Sequence, residues 1–388
     1  MMRTTERGMT LIELMVAMAI GLVVTLVVST LLVAGENHKR TTTSTNDAEQ
    51  TGSYAFYALD RALRSAGSAI AESAYPVDRG VLGCKLNAAA FLPRAAAFPA
   101  PFAASFLAGT TNNLRVAPVL IGQNQSDGGS DVLVVMAGSA QAGGVSRQSN
   151  GGGGSTSLVL QTAVGFSTSD IALVSQSGTT DCLLEEVSSV STPTLNLAGP
   201  YYTANGTSTS LSTLAASTSA YVTPLGNAAA NNVQFELFGV GTDNTLYSYD
   251  LLQNQLKVQG TGVDSSQAIA DGVIQLKAIY GVQNAATPGV LANWASPGDA
   301  GYDINTVMTT PATMELIIAV HVALIVRGEY YDKNVVSPAS LTIFSGYANA
   351  AGTSLAQVIA LNATAQHYRY RVFEFTVPLR NMLLLAGA

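Results

Sequence analysis

The sequence predicts an α+β protein. A long N-terminal helix, membrane-spanning in its first half and amphipathic in its second, packs on an antiparallel β-sheet globular domain with loop insertions. Three observations carry this. From Leu14 to Ala34 the chain is apolar or weakly polar and free of charge for 21 residues. As a helix, that run is about 31 Å long, the thickness of a bilayer's hydrocarbon core. From Glu36 to Gly67 the chain turns polar without strong breakers, and Ala48, Ala55, Leu59, Ala62 and Ala66 recur on one helical face. Further on, short apolar or alternating runs between Gly, Asn, Ser and Asp clusters read as strands.

Composition narrows the class. The 388 residues leave room for one large or two ordinary domains beyond the helix. Charged residues are 11%, against about 25% in an ordinary soluble domain. Ala, Gly, Ser and Thr take their place, which suits an exported protein. The net charge is −7 and no basic run exists, so there is no electrostatic case for a nucleic-acid partner. Cys84 and Cys182 stand 98 positions apart. Without a CxxC pair, neither a thiolate zinc site nor a redox motif is expected. Two readings stay open: two buried thiols, or one disulfide if the downstream chain is exported to an oxidising compartment.

In chain order, Thr41 to Thr45 are poor helix formers that would loosen the helix junction. Gly67 or the Tyr75-Pro76 pair would end the helix. Residues 76–130 read as loops with short elements. Asp127 and Asp131 flank Gly128-Gly129, but the spacing fits no EF-hand, so a solvated turn is expected. Asp131–Ala137, Ser157–Val164 and Asp170–Ser175 read as strands, with Cys182 in a turn. Gly143–Gly154 lacks the Lys-Ser/Thr of a phosphate-binding loop, so no nucleotide site is expected. Residues 191–231 read as irregular surface or an insertion. Val233–Val240, Thr245–Asp250 and Gln255–Val258 form a meander. Ser265–Ala270 reads as one helical turn capped by Asp264. Val273–Tyr280 is a strand. Glu315–Arg327 is too short for a second span and rich in β-branched residues, hence a central strand. Arg369–Leu379 alternates as a strand, and the apolar Asn381–Ala388 tucks under the domain.

Three readings compete for the N-terminus. A secretory signal cut after Ala34 would place Leu32, too large, at the −3 position. A plain anchor leaves flanking charge undecided, because Arg3 and Arg7 are matched by Lys39 and Arg40. Neither explains Glu13, a lone carboxylate in the apolar run and costly there without a partner. The third reading does. Gly8-Met9-Thr10-Leu11-Ile12-Glu13-Leu14-Met15-Val16-Ala17 resembles the processing site of type IV prepilins, with Met9 where that family usually carries Phe.

The resemblance implies a leader at residues 1–8, removed by a prepilin peptidase after Gly8, and methylation of the new N-terminus at Met9. It implies an apolar helix over 9–35 that moves from the lipid bilayer to the fibre core. The helix would continue, amphipathic, over 36–67, and residues 68–388 would form a β-rich globular domain. A carboxylate in apolar surroundings is strongly stabilised by an opposite charge. The resemblance implies that Glu13 meets the Met9 amine of a neighbouring subunit and sets the axial register. Snorkelling of Glu13 to the headgroups is the bland alternative.

Gly272–Gly281, Ala319–Arg327 and Val372–Asn381 are similar to blocks of the PilW family of minor pilins. That likeness implies a minor pilin priming or joining type IV pili, with a type II secretion pseudopilin or a tip adhesin or DNA-uptake pilin as alternatives. Its implied partners are other minor and major pilins, the inner-membrane assembly platform and the peptidase. The implied location is the bacterial inner membrane, single-pass with a periplasmic domain, and then the pilus at the cell surface. No enzyme is expected, since neither G-x-S-x-G nor H-E-x-x-H occurs. No metal or cofactor is expected either. His38 reads as solvated at the membrane exit and His321 as a hydrogen-bonded core residue. His367 reads as a strand-edge residue beside Tyr368 and Arg369.

Overall fold

A computed structural model of the chain describes residues 9–71, 73, 81–89, 91–94, 97–107, 114–139, 144–176, 180–253, 256 and 264–386. The first helix, α1 (Leu11–Ser65), runs unbroken for 55 residues. The threonine stretch does not loosen it. Thr42 donates its hydroxyl to the His38 carbonyl at 3.0 Å, so the helix itself satisfies the side chain. Ala66 caps the C-terminus, and Gly67 turns the chain at φ +79, open to glycine without strain. Asn381 donates to the Ser65 and Ala66 carbonyls at 3.3 and 2.9 Å, meeting acceptors that a helix end leaves unpaired.

Eighteen strands follow among the described residues. The first three are β1 (Lys85–Asn87), β2 (Val119–Gly122) and β3 (Val132–Ala137). Next come β4 (Arg147–Gln148), β5 (Ser157–Val159), β6 (Asp170–Gln176), β7 (Asp181–Ser191) and β8 (Thr194–Leu197). Helix α2 (Leu211–Ala216) precedes β9 (Ala220–Asn227), β10 (Gln234–Val240), β11 (Thr245–Asp250) and β12 (Gln267–Asp271). Then β13 (Val273–Asn284), β14 (Thr287–Ala295), helices α3 (Ile304–Thr309) and α4 (Pro311–Leu316), and β15 (Ile317–Arg327) follow. Strands β16 (Ser340–Ile343), β17 (Gln357–Ala360) and β18 (Tyr370–Pro378) lead to α5 (Arg380–Ala386).

These strands make three sheets and a ribbon. One sheet runs β4-β9-β6-β7-β8-β5, with β1 added parallel to β7. A second runs β12-β11-β10-β3-β2 and a third β14-β13-β15-β18, both antiparallel. The third is the sheet under α1. Phe375 of β18 meets Phe56 edge-on at 4.3 Å between ring centroids. Phe373 occupies the space that a side chain at Gly52 would need.

Strand β15 explains its own composition. Val320, Val322, Leu324 and Val326 face α1 and the main core. Ala323 and Ile325 point the other way, under Ile343 and Phe344 beside the β16–β17 ribbon. A strand buried on both faces reads as a continuous apolar run. The α1 stripe is buried as its spacing predicts: Ala48, Ala55, Leu59, Ala62 and Ala66 all lie in the main core.

Four local expectations change. Cys182 lies inside β7, not in a turn. Residues 191–231 hold β8, α2 and β9, which close a second apolar core with Leu195, Leu211, Leu214 and Val222. Ser265–Ala270 is not a helical turn: β12 pairs with β11, and Asp264 bonds Arg94 at 2.6 Å. Asp131 is not solvated. It is 1% exposed and takes Lys277 Nζ at 2.9 Å, joining β13 to the second sheet. The Tyr75-Pro76 pair and most of Gln255–Val258 lie outside the described residues.

Leu59 is fully buried between α1 and the sheets. Leu59→Ala is expected to lower stability by about 2–5 kcal/mol in chemical denaturation of the full chain in detergent. An unchanged midpoint would contradict this packing.

Candidate assembly site on the N-terminal helix

The described part of the site begins at Met9; Gly8 lies outside the described residues. Thr10 is the N-cap of α1, with extended φ −76 and ψ 151. Its hydroxyl accepts from the Glu13 amide at 3.3 Å, and Glu13 Oε2 accepts from the Thr10 amide at 3.2 Å. This reciprocal capping box satisfies two otherwise free amides and sets a negative charge at the positive end of the helix dipole. Sequence reading missed it, although Thr10-x-x-Glu13 is its signature. In the single chain, then, Glu13 bonds its own helix end. It also stays exposed, with Met9 four positions before it at 69% exposure.

From Met9 to Ala34 every side chain is exposed, including Leu11, Ile12, Leu22 and Leu31. An apolar helix bare on all sides is suited to lipid or to other apolar helices, not to water. By length and composition it is able to cross a membrane.

The other singled-out residues lie elsewhere. Cys84, just before β1, is disulfide-bonded to Cys182 of β7, with 5.7 Å between Cα atoms. His321 is buried in β15, with Nδ1 2.8 Å from Thr376 Oγ1 and Nε2 3.2 Å from Glu374 Oε2. Burial lowers its pKa, against the pull of Glu374. His38 is exposed on α1. His367 closes a short turn ahead of β18, its Nδ1 2.8 Å from the Asp332 carbonyl. No group of three or more His, Cys, Asp or Glu is placed to hold a metal among the described residues.

The comparisons agree with this geometry. The prokaryotic N-terminal methylation motif matches residues 3–29. With a long apolar helix leading into an antiparallel sheet domain, it supports a type IV prepilin-like protein. The family described as Type IV Pilus-assembly protein W, PilW, matches residues 238–381, which include the whole sheet under α1. The two matches together support a minor pilin of type IV pili, and the pseudopilin and adhesin alternatives are not needed. Pilin families of this kind are structural, and their domains imply contact with other pilins in the assembly. No curated protein and no solved structure gives a significant match.

One buried acid has a measurable consequence. Glu185 of β7 is fully buried; its Oε2 accepts from the Thr203 amide at 3.2 Å and its Oε1 has no partner among the described residues. Burial pushes its pKa up to about 9. The unfolded carboxyl ionises above about 4.5 while the folded one keeps its proton, so stability falls as pH rises through that window. Glu185→Gln removes this loss. It is expected to stabilise the fold by about 1–3 kcal/mol at mildly alkaline pH, with the gain vanishing towards pH 4.5 in denaturation series.

Proposed function

We propose that this minor pilin is cut after Gly8 by a prepilin peptidase and methylated at Met9. It then waits as a single-pass inner-membrane protein with its globular domain in the periplasm. The assembly platform draws α1 out of the bilayer into the fibre core, among major and minor pilins. The observation that carries this reading is the helix itself, bare and apolar along residues 9–34 and anchored by its rear face.

Glu13 then has two successive partners. Before assembly it caps its own helix through Thr10. In the fibre it meets the Met9 amine of a neighbouring subunit. A slip in register would leave two charges unpaired in apolar surroundings, which costs far more than the cap returns. Glu13→Ala is expected to be cleaved normally and to be depleted from sheared fibres, as read by immunoblot. Wild-type incorporation would remove the register role. Gly8→Ala is expected to accumulate as the uncleaved precursor; normal maturation would refute the cleavage site.

A periplasmic domain also favours the Cys84–Cys182 bond. Peptide mapping without reductant is expected to recover Cys84 and Cys182 linked. Replacing both with Ser is expected to lower stability by about 2–5 kcal/mol. Two free thiols in exported protein would sink this claim.

A further inference from the structure

Where α1 leaves its apolar run, a cleft of about 760 Å³ opens between the helix and a loop of the globular domain. Its floor is Val33 and Ala34, the last residues of the uncharged stretch. Its upper walls carry Arg40, Lys333 and Arg369, with His38 beside them. Tyr330 and Tyr331 stand at the same place, 44% and 55% exposed.

The loop is held firmly. The Asp332 amide donates to the His367 carbonyl at 2.8 Å. The Val336 and Ser337 amides donate to the Gln366 carbonyl at 2.9 and 3.0 Å. Tyr331 stacks on His367, 4.8 Å between centroids and 16° from parallel.

The charges are unequal. Asp332 is the single acid of the lining, and it bonds Arg369 at 3.1 Å. Arg40 takes Glu36 at 3.3 Å, on an exposed flank of the same helix. Lys333 has no ion-pair partner among the described residues and is exposed. Below the cleft, Leu26, Ser29, Thr30, Val33 and Ala34 line a shallow groove of about 390 Å³ on α1. Val33 and Ala34 belong to both, so the polar cleft continues into an apolar track along the helix.

We propose that this cleft binds the phosphate headgroup of an anionic phospholipid, whose acyl chain lies along the track below. A phosphate finds Lys333 and Arg40. Tyr330 and Tyr331 lie at the level where aromatic rings settle between hydrocarbon and water. A free phosphate would use the upper half of the site and leave the apolar half empty; a lipid uses both. The bound lipid seats the domain on the membrane surface before assembly and must be left behind when the helix enters the fibre. The inference rests on α1 spanning the bilayer.

The test is hydrogen exchange of the full chain in nanodiscs, in phosphatidylcholine alone and with phosphatidylglycerol added. Phosphatidylglycerol is expected to slow exchange over residues 328–336. Lys333→Gln, a change at an exposed side chain, is expected to weaken that response about fivefold in lipid titration. Equal exchange in the two lipids would overturn the proposal. So would equal protection from soluble glycerol 3-phosphate added to phosphatidylcholine discs, which would indicate a free-anion site. Failure of the chain to enter nanodiscs would overturn the membrane-spanning reading, and this inference with it.

Discussion

One rod must satisfy two environments, and the rest of the molecule is arranged around that constraint. The front of α1 is apolar on every side; its rear offers an apolar stripe to the globular domain. The stripe is made largely of small residues. Ala48, Gly52 and Ala55 let the helix lie close enough for Phe373 and Phe375 to pack on it. Glycine inside a helix normally costs about 1 kcal/mol relative to alanine. Here the cost is offset, because the ring of Phe373 fills the volume a Cβ would take. A larger residue would lift the rear of the helix off the sheet and so swing the apolar front relative to the domain. Helix direction, which assembly depends on, is thus set by packing on β18.

The same sheet uses its polar side chains to join its elements. His321 divides its two nitrogens between Thr376 and Glu374, and Glu374 also accepts from the Phe344 amide. Those bonds tie the β16–β17 side to β15 and β18. Lys277 meets Asp131 while the Ala278 and Asn124 amides donate to that carboxylate. Removing one member of such a pair would leave an uncompensated buried charge. Each of these groups is bonded to another element of the fold.

Legibility in the sequence followed physical signal strength. The helix was readable because charge-free length and a repeating alanine stripe are strong periodic signals. Strand β15 was readable because burial on both faces leaves an unbroken apolar run. Residues 191–231 were not: Ser, Thr, Ala and Gly carry little periodicity, and β8 and β9 are specified by partners up to 75 residues away, as in Arg147↔Val222. Asp131 looked like turn chemistry because its partner Lys277 is 146 residues distant. The site followed the same rule. Glu13 stood out as a charge in the wrong solvent, whereas the Lys333 and Arg369 side of the membrane-proximal cleft required the fold to bring it to α1.

The division of the chain follows from these contacts. The strands packed against α1 are β3, β12, β15 and β18, from the second and third sheets. The first sheet closes a second apolar core with one face and joins the main core with the other, through Ile171, Leu173, Cys182, Leu184 and Leu225, and the Cys84–Cys182 bond ties the segment entering β1 to β7. The PilW match starts at Phe238, after the first sheet has ended at Asn227. Packing couples side chains over short distances. Substitutions on β15 or β18 reach the seat of α1 directly. Those at Ile171, Leu173, Leu184 or Leu225 reach it through the main core, whereas the far face of the first sheet, with Leu158, Val187 and Leu195, packs in the second core. The assembly geometry resides in one helix and the main core beneath it.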